Sequence, residues 1–254
     1  DHLRMQALMP GLCLHEVYTD LDELDSALSE SLPLAFSSKL GFLTACPTNV
    51  GTGMRASGML HLPALVLSEQ INQIIQAVNK LSLAVRGLYG EGTEASGNFF
   101  QVSNQTTLGE KETDILERFE KVMNTIIEHE ENARLKLLET RPQMLADQIG
   151  RAYGVLTNSY ILNSREAMNL LSMLTLGVDL GFFPKLSRSL LDRLFIETQP
   201  SHIQSKHTRK LGAEERDELR AHLIREALVK LERPKIKHEL LAPSEKTKND
   251  KEAK

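Results

Sequence analysis

Apolar residues recur along this chain in two periods, one suited to strands and one to helices. Short apolar runs at Leu40 to Ala45, Ala56 to Leu62, Leu81 to Arg86 and Phe99 to Ser103 predict strands, with Leu3 to Met9 a fifth, all in one sheet. Leu21, Leu24, Leu28 and Leu32 fall on one helical face, and Leu67, Ile71, Ile74, Ile75 and Val78 on another, so helices are expected to cover one side of that sheet. Ile115, Phe119, Val122, Met123, Ile126, Ile127 and Ala133 keep helical spacing through a longer helix that lasts until Pro142 and closes the first domain. Glu128, Glu130 and Glu131 beside His129 read as its solvated face, because one histidine among scattered carboxylates lacks the convergence of a metal ligand set.

Beyond Pro142 the pattern changes to shorter helical patches punctuated by Gly150, Gly154, Gly177 and Gly181. Met168, Leu171, Met173 and Leu174 are expected in a core, and Leu176 to Pro184 as a helix end and turn. Glu214 opens a further helix directed towards Glu232. From Pro234 onward Lys235, Lys237, Lys246, Lys248, Lys251 and Lys254 alternate with acidic residues and few aromatics, which predicts a disordered, solvated tail. The expected organisation is α+β: an antiparallel sheet flanked by helices over residues 1–141, a small all-helical domain over 142–233, and a charged tail over 234–254.

Composition narrows the function classes. The 254 residues, 41% hydrophobic and 25% charged, suffice for one substantial core plus a smaller helical unit. A net charge of −4 argues against nucleic-acid binding driven by bulk electrostatics. Two cysteines, Cys13 and Cys46, supply neither a disulfide framework nor a zinc set, which favours a reducing cytoplasm. No apolar run reaches membrane-spanning length and no signal peptide is visible, so no membrane association is expected.

Candidate chemistry concentrates in two glycine- and arginine-rich stretches, Cys46-Pro-Thr-Asn-Val-Gly-Thr-Gly-Met-Arg55 and Arg86-Gly-Leu-Tyr-Gly-Glu91-Gly-Thr-Glu94. A planar guanidinium donates two parallel hydrogen bonds to a phosphate and stays charged, so Arg55 and Arg86 are suited to gripping phosphate oxygens. The neighbouring Gly51, Gly53, Gly87, Gly90 and Gly92 allow backbone N–H groups to approach an anion without a Cβ in the way. Glu91 is out of place beside polyphosphate unless it serves a second reactant. A guanidinium substrate supplies that reason, since its nitrogen must be oriented and must lose a proton during transfer. Taken singly, each such loop reads as a turn with solvating glutamates; two such loops together with Arg4 weigh against that reading.

The segments Asp1-His2-Leu3-Arg4, Cys46 to Asn49, Arg55-Ala56-Ser57, and Arg86 to Glu94 with Val102-Ser103-Asn104 resemble, in order as well as content, the phosphagen (guanidino) kinases. The runs Gly41 to Cys46, Leu60 to Pro63 and Val85 to Glu94 are most similar to the bacterial protein arginine kinases within that superfamily. The resemblance implies a phosphagen-kinase-like catalytic domain that transfers the γ-phosphoryl group of ATP, carrying Mg²⁺, to arginine side chains of proteins. It implies phosphate binding by Arg4, Arg55 and Arg86, and nucleotide contacts along Arg55, Ala56, Ser57, Gly58 and Met59 and along Arg86, Gly87, Leu88, Tyr89, Gly90 and Glu91. Glu91 would face the guanidinium, Cys46 would lie beside the reacting nitrogen, and Asn49 would support the turn behind it. A buried, inert thiol is the alternative for Cys46.

Two departures stand out. The family has Asn-Glu-Glu before Asp-His-Leu-Arg and, upstream, a Ser-Thr-Arg-x-Arg nucleotide motif, whereas this chain opens at Asp1; it is therefore expected to be an N-terminally truncated piece with little or no kinase activity alone. Gly58 stands where the family usually has valine, and is expected to weaken its strand.

In the second domain Arg216-Asp217-Glu218-Leu219-Arg220-Ala221 places two arginines one turn apart. A mixed-charge helix start is ordinary surface on its own. The stretch matches throughout the Arg-Asp-x-x-Arg-Ala pattern that serves protein arginine kinases as an allosteric phosphoarginine pocket, with arginines for the phosphoryl oxygens and the carboxylate for guanidinium N–H groups. The resemblance further implies a homodimer and, as partners, protein substrates with exposed arginines, a zinc-binding activator, a stress-response repressor and the Clp ATPase and protease, with no direct nucleic-acid binding. Two alternatives remain: a small-molecule guanidino kinase, and a non-enzymatic phosphoarginine-binding module.

Overall fold

The computed structural model of the protein describes residues 3–87 and 96–235. Within them, residues 3–62, 69–87 and 99–131 pack as one unit, and residues 63–68, 96–98 and 132–235 as a second.

In the first unit, helix α1 (Leu14–Ser31) follows the expected leucine spacing, yet buries none of its residues. The run Leu3 to Met9, expected as a strand, pairs with no strand among the described residues, and Leu3, Leu8 and Met9 are exposed. Apolar content favours a strand only where a neighbouring edge takes up its backbone hydrogen bonds. The run Leu40 to Ala45 contracts for the same reason. Strands β1 (Phe36–Ser37) and β2 (Gly41–Phe42) form a two-stranded ribbon, with the Phe36 and Phe42 rings edge to face at 5.3 Å. The expected single sheet is thus two sheets.

The second sheet holds the remaining predicted strands. Strand β3 (Ser57–His61) is followed by helices α2 (Pro63–Leu67) and α3 (Ile71–Lys80), then β4 (Leu83–Gly87) and β5 (Phe99–Asn104). The order is β3-β5-β4, antiparallel throughout. The expected Leu67 to Val78 face is split between two helices because Glu69 takes a left-handed backbone, with φ of 60°. Helix α3 buries Ile75 and Val78 and packs against β4.

Helix α4 (Glu112–Thr140) buries Ile115, Phe119, Met123 and Ile126 in the helical spacing read from the sequence. Glu130 is only 3% exposed, so the solvated face expected at 128–131 consists of Glu128, His129 and Glu131 alone. Gly58 meets this helix. A Cβ at position 58 would overlap the Met123 Cε and lie 3.8 Å from Phe119 Cζ, so the missing side chain makes room for a buried methionine. Burying a methionine is worth about 1.5–3 kcal/mol, against roughly 0.5–1 kcal/mol lost to glycine's freedom within a strand. Only the terminal methyl of the methionine stands in that space, so this contact offsets part of the weakening expected of Gly58.

In the second unit, α5 (Pro142–Asn158), α6 (Ser164–Asp179), α7 (Arg188–Glu197), α8 (Pro200–Ser205) and α9 (Ala213–Leu228) surround a core that includes Leu145, Ile149, Met168, Leu171, Leu174 and Ile224. Proline occupies the first turn of α5 and α8, where its missing N–H costs no helical bond. Asn163 Oδ1 accepts from the Glu166 N–H at 2.9 Å and starts α6. Gly150 and Gly154 lie inside α5 and Gly177 inside α6, so they do not break helices as expected. Helix α9 stops at Leu228, short of Glu232. Asp179 accepts from Arg134 at 3.0 Å and Arg188 at 2.8 Å, joining the last turns of α4, the end of α6 and the start of α7. The 141/142 boundary coincides with the change from α4 to α5, whereas packing groups α2, residues 96–98 and 132–140 with the helical unit.

Candidate functional site

Antiparallel register fixes which side chains share a face. Ser57, Ser103 and Ala84 form one row across the sheet, and Met59, Gln101 and Arg86 the next. Directly opposed residues point to the same side, and successive residues alternate. Arg55, two residues before Ser57, therefore projects from the same face as Arg86. Its Nη2 confirms this by donating to Ser103 Oγ at 2.9 Å. Both arginines are exposed, on opposite flanks of the central strand; in register Arg55 falls four residues, about 13 Å of strand rise, from Arg86 along it, and its guanidinium reaches back towards Arg86 as far as Ser103.

The same alternation divides the expected nucleotide-contacting stretch. Arg55, Ser57 and Met59 face outward with Arg86 and Gln101, while Ala56 is buried and Gly58 faces α4. Ala56 N–H donates to Asn104 Oδ1 at 2.9 Å. Gly87, opposite Phe100, is buried on the inner side too. Leu88, Tyr89, Gly90 and Glu91 lie outside the described residues.

Cys46 sits on an exposed loop at the Asn104 end of the sheet. Pro47 to Asn49 form a single 3₁₀ turn, closed by Asn49 N–H donating to Cys46 O at 3.0 Å, which is how Asn49 contributes to the turn. The thiol is exposed, not buried and inert. Its Sγ lies 3.0 Å from Thr48 Oγ1. That hydroxyl and the Thr48 backbone N–H hold the thiol below its ordinary value, and the positive charge of Arg4 adds to the effect. Arg4 thus acts on Cys46.

Several supporting residues were not assigned a role by sequence. Asn104 also donates through Nδ2 to Met54 O at 3.1 Å and Thr106 O at 2.9 Å, so one buried amide fixes the backbone on both sides of Arg55. Thr107 Oγ1 lies 2.9 Å from Thr48 O and 2.8 Å from Val50 O. Gln101 shares its row with Arg86; the odd-even alternation of β5 was the available signal for it.

The helical unit treats its arginines differently. Arg220 is 1% exposed, and its guanidinium donates to Thr198 O at 2.8 Å, to Leu162 O at 2.7 Å and to Asp217. It links α9 to the end of α7 and to the segment before α6. Ala221 is fully buried beside it. Arg216 donates to Leu211 O at 2.7 Å. Glu218 and Leu219 line an open cleft of about 560 Å³ with Tyr160, Ile161, Arg209 and Arg225. There the Arg225 guanidinium lies 4.6 Å over the Tyr160 ring, and Arg209 pairs with Glu215 through two hydrogen bonds of 3.0 and 2.6 Å. The Arg209 bond, with the Gly212 N–H, draws the Glu215 carboxyl down to about 2. Arg220 and Asp217 are mutually engaged, so the geometry puts the motif's open chemistry at Glu218, Leu219 and the cations around the cleft.

With this geometry in hand, comparison with known families is decisive for the first unit. Residues 1–133 match the model of the ATP:guanido phosphotransferase C-terminal catalytic domain. The chain belongs to the ATP:guanido phosphotransferase family. Residues 142–239 match the C-terminal domain of the protein-arginine kinase McsB. Among curated relatives, the protein-arginine kinase of Geobacillus sp. (strain WCH70) is 52% identical over 92% of this chain, and that of Syntrophomonas wolfei 50% identical over 90%. The chain spans 64% of the length of each. The duplicated taurocyamine kinase of Schistosoma mansoni, a solved structure, aligns at 35% identity over 47% of this chain and 16% of its own, with a TM-score of 0.41. No helix among the described residues is long and apolar enough to cross a membrane.

Proposed function

We propose that this chain serves a protein arginine kinase, which transfers the γ-phosphoryl group of ATP to arginine side chains of proteins. The observation that carries this reading is the pairing of Arg55 and Arg86 on one open face of the sheet, in a chain whose residues 142–239 match the McsB C-terminal domain. Two guanidinium forks on one face of the sheet fit the oxygens of an extended polyphosphate, and catalysis of phosphoryl transfer rests mainly on such positioning and charge stabilisation. Mg²⁺, carried on the nucleotide, supplies further neutralisation of phosphate charge.

In the proposed reaction an arginine nitrogen of the substrate attacks the γ-phosphorus in line, an N–P bond forms, and the bond to the β,γ-bridging oxygen breaks to release ADP. The proton lost by the guanidinium passes to Glu91. Arg4, Arg55 and Arg86 stabilise charge on the phosphoryl oxygens, and Cys46 faces the guanidinium. The helical unit serves as the site where phosphoarginine acts back on the enzyme, through the α9 cleft. A cytoplasmic homodimer acting with a zinc-binding activator, a stress-response repressor and Clp proteolysis completes the proposal; these partners rest on the family resemblance.

The test is incubation with Mg-ATP and either an unfolded arginine-rich protein or free arginine, with acid-labile phosphoarginine read by mass spectrometry. Label is expected on protein arginines when the chain is joined to the family's upstream Ser-Thr-Arg-x-Arg and Asn-Glu-Glu segments, and little or none with the chain alone; in the joined protein it is lost on Arg86→Ala and on Glu91→Ala, with nucleotide affinity kept only in the latter. Equal labelling of free arginine supports a small-molecule guanidino kinase instead. Phosphoarginine binding at α9 without any transfer supports a non-enzymatic binding module.

A further inference from the structure

We propose that Thr107, held in place by the Arg118–Glu110 ion pair, is the positioning residue that keeps Thr48 aimed at the Cys46 sulfur. The loop bearing Cys46 is joined to the segment after β5 at four points. Thr107 Oγ1 lies between the carbonyls of Thr48 and Val50, at 2.9 and 2.8 Å, and its single proton serves either of them. Thr107 O accepts from Thr52 N–H at 2.8 Å. Gly51 supplies the fourth. Its φ of +110° is a backbone conformation open to glycine, and a Cβ there would run into Thr107 O and reach within 2.8 Å of the Leu108 Cα. The loop and the 107–108 backbone therefore lie in direct contact.

That contact is held from the other side. Arg118 of α4 grips Glu110 through two hydrogen bonds of 2.5 and 2.8 Å. Glu110 Oε2 in turn lies 3.4 Å from the Thr106 hydroxyl, and Asn104 Nδ2 holds Thr106 O. Bidentate arginine–carboxylate pairs have the geometric rigidity for this role. The Glu110 carboxyl is held below its usual value by Arg118. The chain of contacts runs from α4, through Glu110 and residues 106–107, to the backbone of Thr48. Thr48 carries both donors that favour the ionised form of Cys46, its hydroxyl and its N–H; the positive charges of Arg4 and of the amino terminus act on the same sulfur to a smaller extent. No hydrogen bond links Thr107 to Cys46 directly, so its effect passes through Thr48. The significance of this tether for phosphoryl transfer rests on the proposed function, but the tether itself is a property of the fold.

Alkylation of the intact chain by iodoacetamide across pH 5 to 10, read site by site by mass spectrometry, tests it without nucleotide or substrate. Cys13, whose Sγ is within 3.4 Å of Pro10 O and which no contact of Thr107 reaches, is the reference thiol in the same sample. Thr107→Val removes the hydroxyl at nearly constant volume and is expected to lower the Cys46 rate near pH 7 by about threefold to tenfold, moving its pH profile towards that of an ordinary thiol while Cys13 is unchanged. Thr107→Ser restores the profile. In a Thr48→Val background, Thr107→Val has a smaller further effect, because of the two routes only the backbone N–H of residue 48 remains. An unaltered Cys46 profile in folded Thr107→Val, or a full additional effect without Thr48, overturns the proposal. If circular dichroism shows that Thr107→Val does not fold, Glu110→Gln decides: a slowed Cys46 supports the tether and an unaltered one overturns it. Loss of kinase activity with an unchanged thiol profile would count against this inference alone, and failure of the kinase reading leaves the thiol result standing.

Discussion

Arginine does opposite work in the two units. On the three-stranded sheet, Arg55 and Arg86 stand exposed on an open face, one steadied by Ser103 and the other flanked by Gln101. In the helical unit, Arg220 is sealed from solvent with its donors committed to Thr198 O, Leu162 O and Asp217. The first arrangement keeps charge available to an incoming anion. The second uses charge to satisfy carbonyls that would otherwise be stranded at the joints between helices. All three arginines sit in motifs that read from sequence as phosphate-binding; what separates Arg220 from the other two is the environment that the rest of the chain builds.

Breaking the buried arrangement should have the largest effect. Arg220→Met leaves two carbonyls and the Asp217 carboxylate without their partner, and should cost the helical unit about 3 kcal/mol or more, seen as an earlier urea midpoint. A midpoint equal to the native chain's would mean that Arg220 is not the strut described. Gly58→Val sharpens the contrast between the two faces of the sheet. It drives a side chain into Met123 and should cost about 1–3 kcal/mol, with part recovered by adding Met123→Ala; recovery that fails to occur would remove the steric explanation.

Arg209 and Glu215 offer an intermediate case, an ion pair in the open. The Glu215 carboxyl is drawn below its ordinary 4.5 to about 2, so its contribution is fully present above pH 4.5 and is lost as pH falls towards 2. Glu215→Gln should flatten the pH dependence of thermal stability across that acid window and leave it unaltered near neutrality. An undiminished acid slope would contradict the pairing. Smallest of all should be the stability change on Arg86→Ala, within about 0.5 kcal/mol, because an exposed side chain on an open face holds nothing together. A large destabilisation would place Arg86 with Arg220 among the struts.

Much of the framework was legible in the residues. The runs Ala56 to Leu62, Leu81 to Arg86 and Phe99 to Ser103 became β3, β4 and β5 nearly residue for residue, and the apolar spacing before Pro142 became α4. These segments carry a strong period and bury one face, so local pattern and tertiary packing agree. Leu3 to Met9 and Leu40 to Ala45 failed because pairing partners are a property of the whole fold, not of the run. Gly150 and Gly154 show the reverse error: glycine's cost within a helix, about 1 kcal/mol, was less than the gain from continuing α5 into the core.

At the site, residue types were legible and directions were not. Arg55 and Arg86 were found from charge and neighbouring glycines, yet only the register with β5 shows that they share a face. Arg216 and Arg220 were placed together by helical spacing, which gives the separation along α9 but not which way the interior lies. Thr107 escaped because a threonine after a strand has no distinguishing pattern, and Asn104, although in a stretch that carries the resemblance, was given no role; their importance arises from carbonyls nearly sixty and fifty residues away in sequence.

The central claim is that Arg55 and Arg86 act together as one anion-gripping face. Calorimetric titration with Mg-ATP tests it most directly, on the native chain and on Arg55→Ala and Arg86→Ala, with folding checked by circular dichroism. The native chain should bind, and each variant should keep its fold while losing about tenfold or more in affinity. No binding by the native chain, or equal affinity in either folded variant, would contradict the account.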